Sequence, residues 1–209
     1  SAVTLNKAGA GTWTLNGANT YTGNTVVSNG VLRIGASGTV VSSPVVQVHA
    51  GGVLDATLPG GLTLGAQTLR GDGAVLGNLT TSPGAAIELG LAGQYGQLNL
   101  SNNLTLGGED FIRFELSSAA NDVLYVAGDL ILNGTTTNVI SLPLGQLDNG
   151  TYRLIQCDGS LLGGGSFELA VPGTRQSMVL DFSTPHEVRL VVTGNPTALT
   201  WSGDDLLNL

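Results

Sequence analysis

Short stretches of alternating apolar and polar residues run through this chain, separated by glycine, asparagine and serine. In Leu62–Leu64, Leu98–Leu100 and Leu104–Leu106, leucines alternate with threonine or asparagine. Such alternation puts the leucines on one face of a strand and the polar residues on the other. Because the turn-forming residues recur every few positions and helical periodicity is almost absent, the pattern predicts an all-β chain of short strands.

Leucine followed closely by glycine returns at intervals comparable to one turn of a solenoid. The pairs share this order along the first two thirds of the chain: Leu15–Gly17, Leu64–Gly65, Leu69–Gly71, Leu76–Gly77, Leu89–Gly90, Leu106–Gly107 and Leu132–Gly134. Self-similarity on this scale is the sign of stacked repeats. The spacing predicts roughly nine coils in a rod about 40 to 45 Å long.

Residues 5–35 carry the most specific pattern in the chain. Its positions are Lys7, Gly9, Gly11, Thr12, Thr14, Leu15, Gly17, Asn19, Thr20, Tyr21, Thr22, Gly23, Thr25, Val27, Gly30, Leu32 and Gly35. This order resembles the passenger-associated repeat of bacterial autotransporters. The resemblance implies a right-handed parallel β-helix (β-solenoid) that is exposed outside the cell.

A second stretch resembles the same family. Its motifs are a TLxGxG turn, a proline-glycine turn, GQLxLxxxLTL and D-x-L-x-V-x-G-D-L-x-L-x-G, found at Thr68–Gly73, Pro83–Gly84, Gly96–Leu106 and Asp122–Gly134. Together the two matches cover about half of the chain.

Three segments are predicted along the chain. Residues 1–134 form the β-solenoid with the passenger-associated repeat. In residues 135–196 the strands lengthen and carry more charge, which fits either wider continuing coils or a small, more sandwich-like β-domain. Continuing coils are favoured because no linker-like composition separates the two parts. Residues 197–209 are expected to begin a further repeat module, so that the chain is a segment of a longer protein.

Composition excludes several kinds of partner. The chain is 42% hydrophobic but only 11% charged, with 32 glycines, whereas ordinary domains have about 25% charged residues. Its net charge is −8 and its seven lysines and arginines form no cluster, so neither nucleic acid nor an anionic membrane surface is expected as a partner. No apolar run reaches the roughly 18 residues of a membrane helix, so no membrane insertion by this segment is expected.

Catalytic and metal-binding patterns are missing from the sequence. The two histidines, His49 and His186, lie far apart, whereas metal sites need three or four ligands. The single cysteine, Cys157, excludes an intramolecular disulfide and follows an apolar strand, which favours burial. There is no G-x-S-x-G motif. We therefore expect no catalytic residue, no metal and no cofactor.

Paired carboxylates would be required for glycoside cleavage. Glu109 and Asp110 are adjacent, so on a strand they point to opposite faces. The other acidic pairs, Asp148 with Asp158 and Asp204 with Asp205, fit turns in which aspartate bonds the backbone. Aromatic residues could form a carbohydrate platform if several faced one side, although core and cap roles are favoured for them: Trp13, Tyr21, Tyr125, Tyr152 and Trp201.

Arg70-Gly71-Asp72 is the tripeptide that integrins recognise when it lies on an exposed turn. It is therefore a candidate adhesion turn. The competing interpretation, a solenoid turn that needs the glycine and carries Arg and Asp by chance, is the favoured one.

The expected function is that of a structural or adhesive scaffold segment in an exported bacterial surface protein, without enzymatic activity. It would provide reach, display or assembly. Expected partners are neighbouring repeat modules of the same parent chain, other copies stacked head to tail as in a filament, and a carbohydrate or host-surface ligand. The alternative is a polysaccharide-binding or polysaccharide-cleaving β-helix.

Overall fold

The structure is a computed structural model that describes residues 2–142, 147–173 and 175–194. All of its regular elements are strands. They are β1 (Leu5–Lys7), β2 (Thr12–Leu15), β3 (Thr25–Val27), β4 (Gly30–Ile34), β5 (Val45–Val48), β6 (Gly52–Asp55), β7 (Leu62–Leu64), β8 (Thr68–Gly71), β9 (Ala74–Leu76), β10 (Leu79–Thr81), β11 (Ala86–Leu89), β12 (Gln97–Leu100), β13 (Leu104–Leu106), β14 (Asp110–Glu115), β15 (Val123–Val126), β16 (Leu130–Leu132), β17 (Thr135–Ser141), β18 (Gly150–Cys157), β19 (Leu161–Gly163), β20 (Ser166–Ala170), β21 (Ser177–Asp181) and β22 (Glu187–Thr193).

These strands form three sheets that run along the molecule. The first sheet has the order β1-β3-β5-β8-β11-β14-β17-β20, and the second has β2-β4-β6-β9-β12-β15-β18-β22-β21. The third sheet, β7-β10-β13-β16-β19, begins one coil after β3 and β4. Pairing is parallel throughout the first and third sheets. The predicted all-β parallel solenoid is confirmed.

Inward-facing side chains stack in rows to make the core. One row in the second sheet places Trp13, Leu32, Leu54, Val75, Leu100, Val126 and Cys157 in register from β2 to β18. Cys157 is only 3% exposed, as the sequence predicted, because it continues this aliphatic row. Trp13 is 55% exposed because it ends the row at the first coil.

Coils differ in length, although their strands stay in register. From one strand of the first sheet to the next, the register advances by 20, 21, 23, 18, 25, 26 and 31 residues. Loops between strands absorb the difference, which long surface insertions do at small entropic cost. Over the residues that the structure describes, the first sheet has eight strands rather than the roughly nine coils expected, because after β20 the chain forms the antiparallel strands β21 and β22.

The later strands combine two kinds of pairing. Strands β17 and β20 extend the first sheet in parallel, and β19 extends the third. In contrast, β22 pairs antiparallel with β18, and β21 pairs antiparallel with β22. The ring of Phe182 stacks on Phe167 of β20, with centroids 6.1 Å apart. The segment boundaries at 134 and 196 stay predictions, and the expected module at 197–209 lies outside the described residues.

Lys7 occupies an inward position at the first coil, where the next two coils carry valine. It pairs in register with Val27, which pairs with Val48. Its ammonium group donates to the carbonyl oxygens of Ala8 (3.1 Å), Gly9 (2.6 Å) and Asn29 (2.9 Å), and the residue is 2% exposed. Three hydrogen bonds compensate the burial of this charge.

Among the described residues, the structure contains no helix long and apolar enough to span a membrane.

Candidate ligand-binding cleft

The predicted adhesion tripeptide is divided between a strand and the bend that follows it. Arg70 and Gly71 are the last two residues of β8, and Asp72 begins the bend. Gly71 has φ +130°, and a Cβ there would collide with the backbone oxygen of Val48. Asp72 Oδ1 accepts the backbone N–H of Ala50 at 2.8 Å. The glycine is therefore required by the close approach of two coils.

The side chain of Arg70 lies in an outward-facing row of the first sheet. This row runs through all eight strands as Asn6, Val26, Gln47, Arg70, Glu88, Arg113, Val139 and Ala170. Parallel strands in register place equivalent side chains about 4.8 Å apart. Hence Glu88 lies between two arginines on neighbouring strands.

Glu88 forms ion pairs with both guanidinium groups. Arg70 donates to Glu88 Oε2 through Nε at 2.8 Å and Nη2 at 2.6 Å, whereas Arg113 Nε lies 3.3 Å from Glu88 Oε1. The guanidinium carbon of Arg113 also lies 5.5 Å from the ring centroid of Phe111. The side chains of Arg70, Glu88 and Arg113 are 39%, 26% and 46% exposed, so the three remain accessible to a ligand.

An open cleft of about 640 Å³ lies over this charged row. Its lining includes Ala92 in the loop between β11 and β12, and Leu142 and Pro172 beyond β17 and β20. Val139 and Ser141 of β17 also line it. The cleft thus combines two guanidinium groups, two carboxylates (Glu88 and Glu115) and apolar side chains, which is typical of a site that recognises a ligand by a few polar contacts.

Two carboxylates hold the loop that borders the cleft. Glu115 lines the cleft, and its Oε2 accepts the backbone N–H of Gly93 at 2.8 Å. Asp122 Oδ1 accepts the N–H of Gly96 at 2.8 Å, and Asp122 Oδ2 accepts the N–H of Glu115 at 2.6 Å. Burial raises the pKa of Asp122 to about 6, since desolvation and the negative charge of Glu115 outweigh these two hydrogen bonds.

Glu88 and Arg113 were not identified as site residues from the sequence. Each is a single charged residue between two apolar ones, in Ile87-Glu88-Leu89 and Ile112-Arg113-Phe114. That alternation predicts an outward position on a strand. It gives no register between strands, and the alignment with Arg70 appears only in the structure.

The acidic residues considered for catalysis have structural contacts. Asp110 is buried, and it accepts from the hydroxyl groups of Thr81 and of Thr136, the latter at 2.5 Å. Asp158 accepts from the Tyr125 hydroxyl, and the backbone N–H of Asp148 donates to Ser118 Oγ at 2.8 Å. Asp204 and Asp205 lie outside the described residues.

The histidines and aromatic residues lie on separate parts of the solenoid. His49 follows β5 and bonds Gln47, whereas His186 precedes β22 and contacts the carbonyl of Gly159. In the part of the chain that the structure describes, no group of three or more His, Cys, Asp or Glu residues could hold a metal ion. Tyr21 bonds Thr25 at 2.6 Å and Tyr152 bonds the carbonyl of Asp148 at 2.9 Å; Trp201 is not among the described residues.

Comparison with known proteins shows which proteins the chain is similar to. Residues 5–34, which comprise β1 to β4, match the passenger-associated-transport-repeat family. Over 214 aligned residues, 99% of the chain, the sequence is 30% identical to the adhesin BmaC autotransporter of Brucella suis biovar 1 (strain 1330). The chain spans about 6% of the length of that relative. The resemblance to autotransporter passengers is confirmed.

Proposed function

Since the chain carries an autotransporter passenger repeat and is similar along its length to part of an autotransporter adhesin, we propose that it is a scaffold segment of an exported bacterial surface protein. In this role it holds an adhesive surface away from the cell and has no enzymatic activity. Its place of action is the bacterial cell surface.

The observation that carries this proposal is the unbroken row from Asn6 to Ala170 along the first sheet. Eight strands in register extend about 34 Å, given strand spacings near 4.8 Å. Hydrogen bonds between coils satisfy the backbone along this length, and aliphatic rows fill the interior. A solenoid of this kind is extended and presents long outer faces, which suit display and binding.

Surface display tests the proposal. The chain is placed between an epitope tag and a membrane anchor on a non-adherent bacterium, and the same anchor and tag without the chain serve as control. We expect the chain to bring the tag further from the membrane, measured by antibody-label position in electron microscopy, and to raise attachment to host cells. An unchanged tag distance would contradict the scaffold role, and unchanged attachment with full display would contradict the adhesive one.

A further inference from the structure

We propose that the cleft over Arg70, Glu88 and Arg113 binds an acidic glycan that lies along the solenoid axis and carries carboxylates on alternate sugars. The inference rests on the proposed adhesive function and names the ligand class of its surface. Three features of the cleft support it: the donors that remain on the arginines, the spacing between them, and the mixture of charges around them.

The arginines retain hydrogen-bond donors. In the described part of the chain, Arg113 contacts Glu88 through Nε, and its guanidinium group lies over the ring of Phe111. A guanidinium group has five N–H donors in a planar fork, so the edge formed by Nη1 and Nη2 can still donate to a ligand. A carboxylate accepts such a pair of parallel hydrogen bonds, which are stronger and more directional than neutral ones.

The spacing of the two arginines matches a repeat of two sugars. The backbones of Arg70 on β8 and Arg113 on β14 are separated by one strand, β11, and therefore by two strand spacings, about 9.6 Å. One pyranose unit is about as long as one strand spacing. A glycan parallel to the axis would therefore present every second sugar to an arginine and the intervening sugar to Glu88.

The carboxylates in the cleft favour a sugar over an acidic peptide. Glu88 and Glu115 both line it, so the cleft offers acceptors as well as donors. Sugar hydroxyls donate to carboxylates, whereas the side chains of an acidic peptide bring only further negative charge. Leu142 and Pro172 supply apolar contacts for the C–H faces of the rings.

The net charge of −8 does not prevent this binding at physiological ionic strength. Salt screens exposed charges beyond about 8 Å under these conditions. The groups within the cleft therefore determine the local interaction. Among them, Arg70 and Arg113 lie on the two strands that flank the strand of Glu88.

Isothermal titration calorimetry of the full chain tests the inference. The probe is a heparosan hexasaccharide, in which glucuronate alternates with N-acetylglucosamine, and the control is a chitin hexasaccharide, which has the same length and no carboxylate. We expect heparosan to bind at least about tenfold more tightly than chitin, as the loss of a charge-assisted pair of hydrogen bonds would predict.

Two substitutions locate the site. Arg113→Gln should weaken heparosan binding about tenfold, and Arg113→Lys should restore only part of it because lysine lacks the planar fork. Arg153→Gln is the matched control, since Arg153 also shares a glutamate, Glu187, with a second arginine, Arg189, but lies outside the cleft. Circular dichroism melting curves show whether each variant keeps its fold.

Four outcomes would overturn the inference: no binding of heparosan, equal binding of chitin, unchanged binding by Arg113→Gln, or Arg113-dependent binding of hexaglutamate in place of heparosan. Failure of the inference is distinguishable from failure of the proposed function. If cells that display the chain attach to host cells while heparosan does not bind, the adhesive role stands and the ligand class is wrong.

Discussion

The carboxylate of Asp122, immediately before β15, accepts the backbone N–H of Gly96, immediately before β12, at 2.8 Å. It also accepts the N–H of Glu115 at 2.6 Å, at the end of β14. Asp122 is fully buried. One side chain therefore joins two successive coils and fixes both ends of the connection between β14 and β15.

Asp122 should make the stability of the protein depend on pH. Its pKa is about 6 in the folded state, raised by burial, against about 3.9 in an unfolded chain. A folded state with the higher pKa binds more protons, so the stabilisation is present below pH 4 and is lost as the pH rises through 6. We expect this residue to lower the free energy of unfolding by up to about 3 kcal/mol between pH 4 and pH 7.

Urea unfolding of the wild type and of Asp122→Asn across this pH range measures the effect. Because the variant cannot titrate at position 122, the difference in unfolding free energy between the two proteins isolates Asp122 from the other carboxylates. A difference that stays constant from pH 4 to pH 7 would contradict the raised pKa.

Removal of Asp129 should destabilise the protein, because its side chain bonds the backbone of another coil. Asn103 Oδ1 accepts the N–H of Asp129 at 2.9 Å, and Asp129 Oδ1 accepts the N–H of Ser160 at 2.8 Å. Asp129→Ala should cost about 1 to 2 kcal/mol of unfolding free energy, because the N–H of Ser160 loses its acceptor. Asp129→Asn keeps the carbonyl oxygen and should cost less than half as much in the same urea titration. Equal losses in both variants would show that the negative charge, and not the acceptor, is what matters.

Strand faces could be predicted from the sequence, but the register between coils could not. The leucines of Leu62–Leu64 and Leu104–Leu106 face inward as their alternation indicated. The alignment of Arg70 with Glu88 and Arg113 depends on coil steps of 18 and 25 residues, and no local pattern specifies those lengths. The antiparallel pairing of β22 with β18 could not be predicted from the sequence either, because a strand of alternating residues has the same pattern in either direction.

The burial of certain charged residues was the other feature that could not be predicted from the sequence. Asp122 was visible as part of a motif and Lys7 as part of a repeat. Charged residues are rarely fully buried unless they are paired or hydrogen-bonded, so sequence alone places them at the surface. Their burial depends on backbone groups from neighbouring coils, which come together only when the coils stack.

Gly71 should tolerate no side chain. It has φ +130°, and an added Cβ would meet the backbone of Val48 on the preceding coil. Gly71→Ala should therefore cost about 3 kcal/mol or more, or prevent folding. Gly65→Ala is the matched control, because nothing lies within 4 Å of a Cβ at that position, and it should change the free energy of unfolding by less than about 1 kcal/mol. A well-folded Gly71→Ala protein with wild-type stability would contradict the close approach of the two coils.

The Arg70-Gly71-Asp72 tripeptide provides the last prediction. Integrin recognition requires the tripeptide on an exposed turn, but Arg70 and Gly71 are the last two residues of strand β8. We expect Asp72→Glu to leave the attachment of integrin-bearing cells to the immobilised chain unchanged, with a soluble Arg-Gly-Asp peptide as competitor. Because Asp72 also accepts the N–H of Ala50 at 2.8 Å, urea unfolding of the variant must accompany the assay. Loss of attachment at unchanged stability would contradict this expectation and establish the tripeptide as an adhesion site. Retained attachment would support the interpretation that Gly71 is present because two coils approach closely there.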